Sequence, residues 1–255
     1  MLVLAQISDL HLDGTARGTE RAERVMDRLR SLPTRVDALL VTGDIADHGA
    51  EAEYEEAARI LDAPFPVLHC PGNHDRRGPY RKALLGEHGS APGPEALDAP
   101  VNSVHRVGGA AILMCDSSIP GQDEGLLDSA TYAWIETALD GLGGGVPVLL
   151  AFHHPPVALH HPLPDKYQLQ EPERLAALLD RRPEIAALIT GHAHTPAATT
   201  FAGRPLVVGP GVTWTLRLPW EGEQIADREA DPGLAFHVLD DAGRLTTHYR
   251  TVPAS

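Results

Sequence analysis

Five short segments hold most of the side chains in this sequence that could do chemistry together. They are Ser8-Asp9-Leu10-His11, Gly43-Asp44-Ile45-Ala46-Asp47, Gly72-Asn73-His74-Asp75, His153-His154-Pro155 and Gly191-His192-Ala193-His194. Neutral imidazole nitrogen suits transition metals, while carboxylate and carbonyl oxygens add harder donors, so this mixture reads as a set of metal ligands. Asp9 and His11 alternate, as do His192 and His194. In an extended segment such a pair faces one way and offers two donors to one locality. Glycines at 43, 72 and 191 permit sharp turns that leave the next side chain facing a crevice. Taken singly, each residue has a plainer explanation as a core or surface histidine, or as an aspartate in a turn or cap. It is their shared placement that argues otherwise.

Each cluster follows an apolar run. The pattern predicts strands at Leu2–Ile7, Asp37–Thr42, Pro66–Cys70, Val146–Phe152 and Ile185–Thr190, one before each cluster. Helices are predicted at Thr19–Leu32, Glu51–Leu61, Ser129–Leu142 and Glu171–Asp180. In the first of these, Ala22, Val25, Met26, Leu29 and Leu32 share one face. Further strands are expected at Ser103–Val107 and Ala110–Cys115, paired around Gly108-Gly109, and at Ala197–Ala202, Leu206–Val208, Leu234–Leu239 and Arg244–Thr251. Strand–helix alternation implies a parallel or mixed sheet. In such a sheet the strand C-termini converge on one crevice, where ligands bind. The strand-rich tail, residues 195–255, is expected to complete a second sheet packed on the first. A glycine- and proline-rich stretch at Gly86–Pro100 reads as a loop, and Pro155–Pro172 and Leu218–Pro232 as surface excursions near the site.

The 255 residues suit one domain that buries roughly three quarters of its unfolded surface, so neither a disulfide nor a structural metal is required for folding. Cys70 and Cys115 each end an apolar run and read as small buried thiols. With 35 acidic and 21 basic residues the net charge is −14, which disfavours binding to nucleic-acid polymers. No charged-then-apolar leader precedes the first strand, and no apolar stretch reaches the roughly 20 residues that span a bilayer. The expectation is a soluble, cytoplasmic protein without membrane insertion.

The ordered set D-x-H, G-D-x-x-D, G-N-H-D, H-x-P, G-H-x-H resembles the signature of the calcineurin-like metallophosphoesterases, and more narrowly their class III cyclic nucleotide phosphodiesterase branch. The motifs run from Asp9 to His194, about three quarters of the chain. The resemblance implies an α/β (α+β) fold, a four-layer αββα sandwich of the metallo-dependent phosphatase kind, formed by residues 1–255 as a single domain. It implies two metal ions, manganese and/or iron, with zinc or cobalt as further options. Asp9, His11, Asp44 and His194 would hold one ion, and Asp44, Asn73, His153 and His192 the other, with Asp44 bridging. His74 matches the family's catalytic histidine and Asp47 the carboxylate that orients it. Asn73, His74 and His194 would meet the substrate. His154 occupies the variable middle position of H-x-P and is not counted as a ligand. The implied reaction is hydrolysis of 3′,5′-cyclic nucleotides to 5′-monophosphates by an activated water. The alternative is a broader phosphodiesterase acting on glycerophosphodiesters or 2′,3′-cyclic nucleotides. Family members often form dimers, so a homodimer is a further expectation.

Charge supports a diester. Two divalent ions set against Asp9, Asp44 and a hydroxide leave a single positive charge, which a phosphodiester monoanion neutralises. Outside the motifs, Arg76 and Arg77 read as a solvated pair, His160 and His161 as part of an exposed loop at the substrate mouth, and Asp75 as a local turn or salt-bridge residue. Trp214 and Trp220 suit plain packing, base stacking or a dimer contact.

Overall fold

Strands covered on both faces need apolar residues at every position, and the central strands here have them. The computed structural model of the protein describes residues 1–87 and 98–254. Its first sheet contains β1 (Leu2–Ile7), β2 (Ala38–Thr42), β3 (Val67–Cys70), β12 (Gly233–Leu239) and β13 (Leu245–Thr251), in the order β13-β12-β1-β2-β3. β1, β2 and β3 are parallel, whereas β12 pairs antiparallel with β1 and β13 antiparallel with β12. The second sheet contains β4 (Ser103–Val107), β5 (Ala110–Met114), β6 (Val148–Ala151), β7 (Ile185–Thr190), β8 (Ala197–Phe201) and β9 (Arg204–Val208), in the order β4-β5-β6-β7-β9-β8. Its four inner strands are parallel and its edges, β4 and β8, antiparallel. A short ribbon, β10 (Thr215–Leu216) with β11 (Ala226–Asp227), stands apart.

Period-two alternation divides the side chains among three cores. Leu2 and Leu4 of β1 and Leu40 of β2 meet Ile112, Met114, Leu149 and Ile189 of the second sheet, so the sheets pack face to face. Ala5, Ile7, Leu39 and Val41 point the other way, onto α1 (Ala16–Arg30), α2 (Glu51–Ile60) and α3 (Arg77–Leu84). Leu113, Leu150 and Leu188 of the second sheet pack on α4 (Ser129–Leu142) and α5 (Pro172–Arg181). The layers therefore run helix, sheet, sheet, helix, as expected.

Three details differ from the sequence reading. The tail serves both sheets: β8 and β9 finish the second, but β12 and β13 return to the first. The free side of β1 is an open edge that must be paired, and this requirement overrides the tendency of consecutive strands to stay adjacent. Helix α3 was hidden because Gly78-Pro79 resembles a turn; proline is tolerated in a first turn, where its missing N–H costs nothing. Helix α1 starts at Ala16, capped by Thr15, whose hydroxyl accepts the Gly18 N–H. Most of the expected Gly86–Pro100 loop, residues 88–97, lies outside the described residues.

Beneath the strand ends a buried polar chain joins the sheets. Gln6 Nε2 donates to Thr42 Oγ1 and to the Thr190 carbonyl, both at 2.8 Å. His237 bridges Gln6 Oε1 (2.9 Å) and Thr247 Oγ1 (2.8 Å). Cys70 and Cys115 are buried free thiols. No helix among the described residues is long and apolar enough to cross a membrane.

Candidate metal centre

The C-terminal ends of β1, β2, β3, β6 and β7 meet at one rim of the sandwich, and the backbone there is unusual. Among the described residues eight non-glycine residues have positive φ, and five are expected ligands: Asp9 (55°), His11 (44°), Asp44 (48°), His192 (69°) and His194 (53°). Such torsions are costly for L-residues and gather where surrounding structure enforces them, typically at functional sites. The D-x-H and H-x-H pairs are thus not extended, as their alternation suggested. Gly43, at φ +91°, matches its expected turn role. Gly72 is needed for space: a Cβ there would lie 2.2 Å from Asp44 Oδ1.

These exits bring the donors from both sheets together. His11 Nε2 lies 3.5 Å and His153 Nε2 3.3 Å from Asp44 Oδ2, while His153 Nε2 and His194 Nε2 lie 3.9 and 3.7 Å from Asp9 Oδ1. The Asp9–His11–His194 and Asp9–Asp44–His153 groups each gather ligand atoms within 4.8 Å of one another. The tautomers follow from the outer hydrogen bonds. His11 Nδ1 donates to Asp47 Oδ1 (2.9 Å) and His194 Nδ1 to the Trp214 carbonyl (3.3 Å). Their Nε2 atoms, 3.2 Å apart, therefore turn bare lone pairs toward each other. His153 Nδ1 donates to the Thr42 carbonyl at 2.7 Å, and its Nε2 has no partner. Asp9 Oδ2, Asn73 Oδ1 and His192 Nε2 are likewise buried and unpartnered. With the imidazoles in the neutral form that binds metal, these are converging buried acceptors without donors, unfavourable unless a cation satisfies them. The donor set fits metal ions, with Asp44 placed to serve both halves.

Electrostatics agree. Burial, joined by His153, outweighs the opposing pull of the Asp44 carboxylate and pushes His192 down to about 3. Burial and His11 hold His194 well below the usual histidine range. Both imidazoles thus stay neutral, the form that binds metal. Burial opposes ionisation of Asp44, but His153 outweighs it and holds the carboxyl well below its ordinary range. Burial raises Asp9 to about 6. Burial would lower His153, yet the Asp44 carboxylate lifts it to about 9.

His74 and Asp47 also lie at the site, in an unexpected relation. His74 Nδ1 donates to the Asp47 backbone carbonyl (2.8 Å), and the Asp47 carboxylate, 3.6 Å away, serves His11 instead. His154 lies beside His153 and His192, with ligand atoms within 4.8 Å of one another and its Nε2 buried without a partner, but its other nitrogen is engaged by Ser117. Ser117 Oγ accepts the N–H groups of His153 (3.2 Å) and His154 (3.3 Å), so its proton goes to His154 Nδ1 (2.8 Å). In that arrangement the neutral ring carries its hydrogen on Nε2, which does not suit a ligand.

Several contributors carried no sequence signal of their role. Buried Asp75 accepts from the Ile45, Ala46 and Gly72 amides and the Tyr54 hydroxyl, tying two ligand loops together. The Trp214 ring stacks on His194 (4.9 Å, 7°) and His11 (4.9 Å, 29°), so it packs on two of the expected ligands. Arg77 is committed to buried Asp116 (2.7 Å), and His161 is buried rather than exposed. A cavity of about 300 Å³ opens over the donors, bounded also by Asp123, Leu163, Pro164, Tyr167 and Leu216.

The comparisons match this geometry. The calcineurin-like phosphoesterase profile covers residues 2–196. The 3′,5′-cyclic adenosine monophosphate phosphodiesterase CpdA of Pseudomonas aeruginosa is 32% identical over 96% of this chain and 88% of its own length. The glycerophosphodiester phosphodiesterase GpdQ of Enterobacter lignolyticus is 32% identical over 78% of this chain and 73% of its own. In structure, a dimetal phosphatase from Danio rerio superposes with a TM-score of 0.70 at 14% identity, over 99% of this chain and 96% of the other, and so shares the fold. With the profile spanning all five clusters and the fold bringing them to one rim, this chain belongs to the calcineurin-like phosphoesterases.

Proposed function

We propose that the protein is a two-metal phosphodiesterase that hydrolyses 3′,5′-cyclic nucleotides, cAMP or cGMP, to 5′-nucleoside monophosphates. The observation that carries the two-metal reading is Asp44 Oδ2, set between His11 Nε2 and His153 Nε2. Asp9, His11, Asp44 and His194 would hold one ion, and Asp44, Asn73, His153 and His192 the other. Manganese and iron suit these mixed donors, as do zinc and cobalt. When bound, such ions activate water near neutral pH and screen charge on the phosphoryl group.

The chain's own residues supply the rest. Bonded through Nδ1 to a carbonyl, His74 in its imidazolium form would present Nε2–H for stabilising phosphoryl charge or for protonating the departing alkoxide. Its main-chain N–H also donates to Asp44 Oδ1 (2.9 Å), fixing the bridging carboxylate against the G-N-H-D turn. Asn73, His74 and His194 line the cavity and would bind and orient the phosphate. The cavity's apolar wall and small volume suit a small organic phosphodiester, and the net charge of −14 disfavours a nucleic-acid polymer.

Cyclic nucleotides are preferred because several of the similar proteins, CpdA among them, are named as cyclic nucleotide phosphodiesterases. The second reading, a phosphodiesterase for glycerophosphodiesters or 2′,3′-cyclic nucleotides, is favoured by the GpdQ likeness. Comparing kcat/KM for cAMP, 2′,3′-cAMP and glycerophosphocholine with manganese supplied decides between them; cAMP poorer by orders of magnitude rejects the first. A cytoplasmic location and a homodimer complete the proposal, to be checked by cell fractionation and light scattering.

A further inference from the structure

A second cavity, about 810 Å³, adjoins the first, and the two share Asn73, His74 and Asp123. Asn73 and His74 belong to the motifs; Asp123 does not. Its carboxylate is exposed, but its loop is firmly seated. Gly125 donates to the Gln168 carbonyl (3.2 Å) and accepts from Gln170 (2.7 Å), and Leu126 N–H donates to the Ser117 carbonyl (2.9 Å). Beneath Gly125 lies the His154 ring, so close that a Cβ on the glycine would come within 2.3 Å of it. His154, held by Ser117, is thus the floor on which the Asp123 loop rests.

The surrounding charges are lopsided. Among the described residues the smaller cavity is lined by Asp44 and Asp123 with four imidazoles, and by no lysine or arginine. The larger is lined by Asp47, Asp75, Asp98, Asp123 and His48, with Arg76 and with Arg77, whose guanidinium Asp116 already neutralises.

We infer that Asp123 is a specificity determinant that selects phosphodiesters over phosphomonoesters by charge, an inference that rests on the phosphodiesterase reading above. A diester brings one negative charge to Asn73 and His74. A monoester, with a second pKa near 6, brings close to two at neutral pH. A carboxylate lining the same cavities acts once on the first and twice on the second. Since diester hydrolysis yields a monoester, the same repulsion hastens product release. For charges roughly 6–8 Å apart in a solvated cleft, one interaction is worth about threefold in affinity. Removing Asp123 therefore raises diester affinity about threefold and monoester affinity about tenfold, near the square of the first.

The test compares the metal-loaded wild-type enzyme with Asp123→Asn, Asp123→Ser and Asp123→Glu. It reads kcat/KM for a diester and a monoester, and the Kd of 5′-AMP by titration calorimetry. The Asn and Ser variants should bind 5′-AMP about tenfold more tightly and raise the monoester-to-diester ratio about threefold, while Glu keeps wild-type discrimination. Added salt should bring the wild type toward the two neutral variants. An unchanged 5′-AMP Kd in both neutral variants, or equal gains for monoester and diester, overturns the inference. A wild-type enzyme that binds 5′-AMP but hydrolyses no diester overturns the phosphodiesterase reading instead.

Discussion

The two halves of the donor cluster are held in different ways. His11 and His194 take their orientation largely from other side chains. The Asp47 carboxylate fixes one ring, the Trp214 ring stacks on both, and only the second bond of His194 reaches main chain. His153 takes its orientation from the Thr42 carbonyl, and the strand ends beside it are joined by the Gly191 N–H to the His153 carbonyl (2.9 Å). Outer partners of metal ligands set ligand orientation and basicity, and their loss typically costs 10–100-fold in affinity. A half oriented by side chains can be tuned one substitution at a time. A half oriented by backbone changes only when its ligands do.

The largest effect should come from the residue the halves share. Asp44→Asn is expected to lower metal content in both and to cut kcat/KM on the order of a thousandfold or more. If elemental analysis still finds two ions per chain, the bridging assignment fails. Next come substitutions that should affect one half only. Asp47→Asn and Trp214→Ala should each weaken one ion's affinity by roughly 10–100-fold and spare the other. Two ions lost in parallel would erase the distinction between the halves.

A smaller, pH-dependent effect concerns the backbone-oriented half. In protein stripped of metal, the raised pKa of His153, about 9, means that it holds a proton at neutral pH, which an incoming ion must displace. Affinity should therefore rise with pH and level off only above about 9, with proton release seen by calorimetry in buffers of differing ionisation enthalpy. The sign for folding is opposite. The His153–Asp44 pair stabilises the stripped protein fully below the ordinary histidine value, and that stabilisation is lost as pH rises through about 9. A flat metal-affinity profile from pH 6 to 9 would contradict this. The smallest effect should leave both halves alone: Gln6→Leu strands Thr42, Thr190 and His237 partners and should cost about 1–3 kcal/mol in thermal unfolding, with metal content unchanged.

The layers and the gathering of the donors were legible in the sequence because each cluster follows a short apolar run, and strand ends converge whatever the loops do. The fate of the tail was not, because pairing of β12 with β1 joins residues about 230 positions apart and leaves no local pattern. The role of Asp47 was legible as a position but not as an atom: its carboxylate reaches His11 while its carbonyl reaches His74. Trp214 and Asp123 lie on loops without periodicity, and only the folded chain brings them beside the motifs.

The cluster draws Asp9 and Asp44 from one sheet and His153, His192 and His194 from the other, so a cation held there rivets the sandwich along its seam. A ligand that binds only the native chain stabilises it, by about 4 kcal/mol at a thousand times its Kd. Metal supply would then govern how long the protein survives as well as how fast it works, since a starved chain would part first at this rim and offer its apolar interior to proteases.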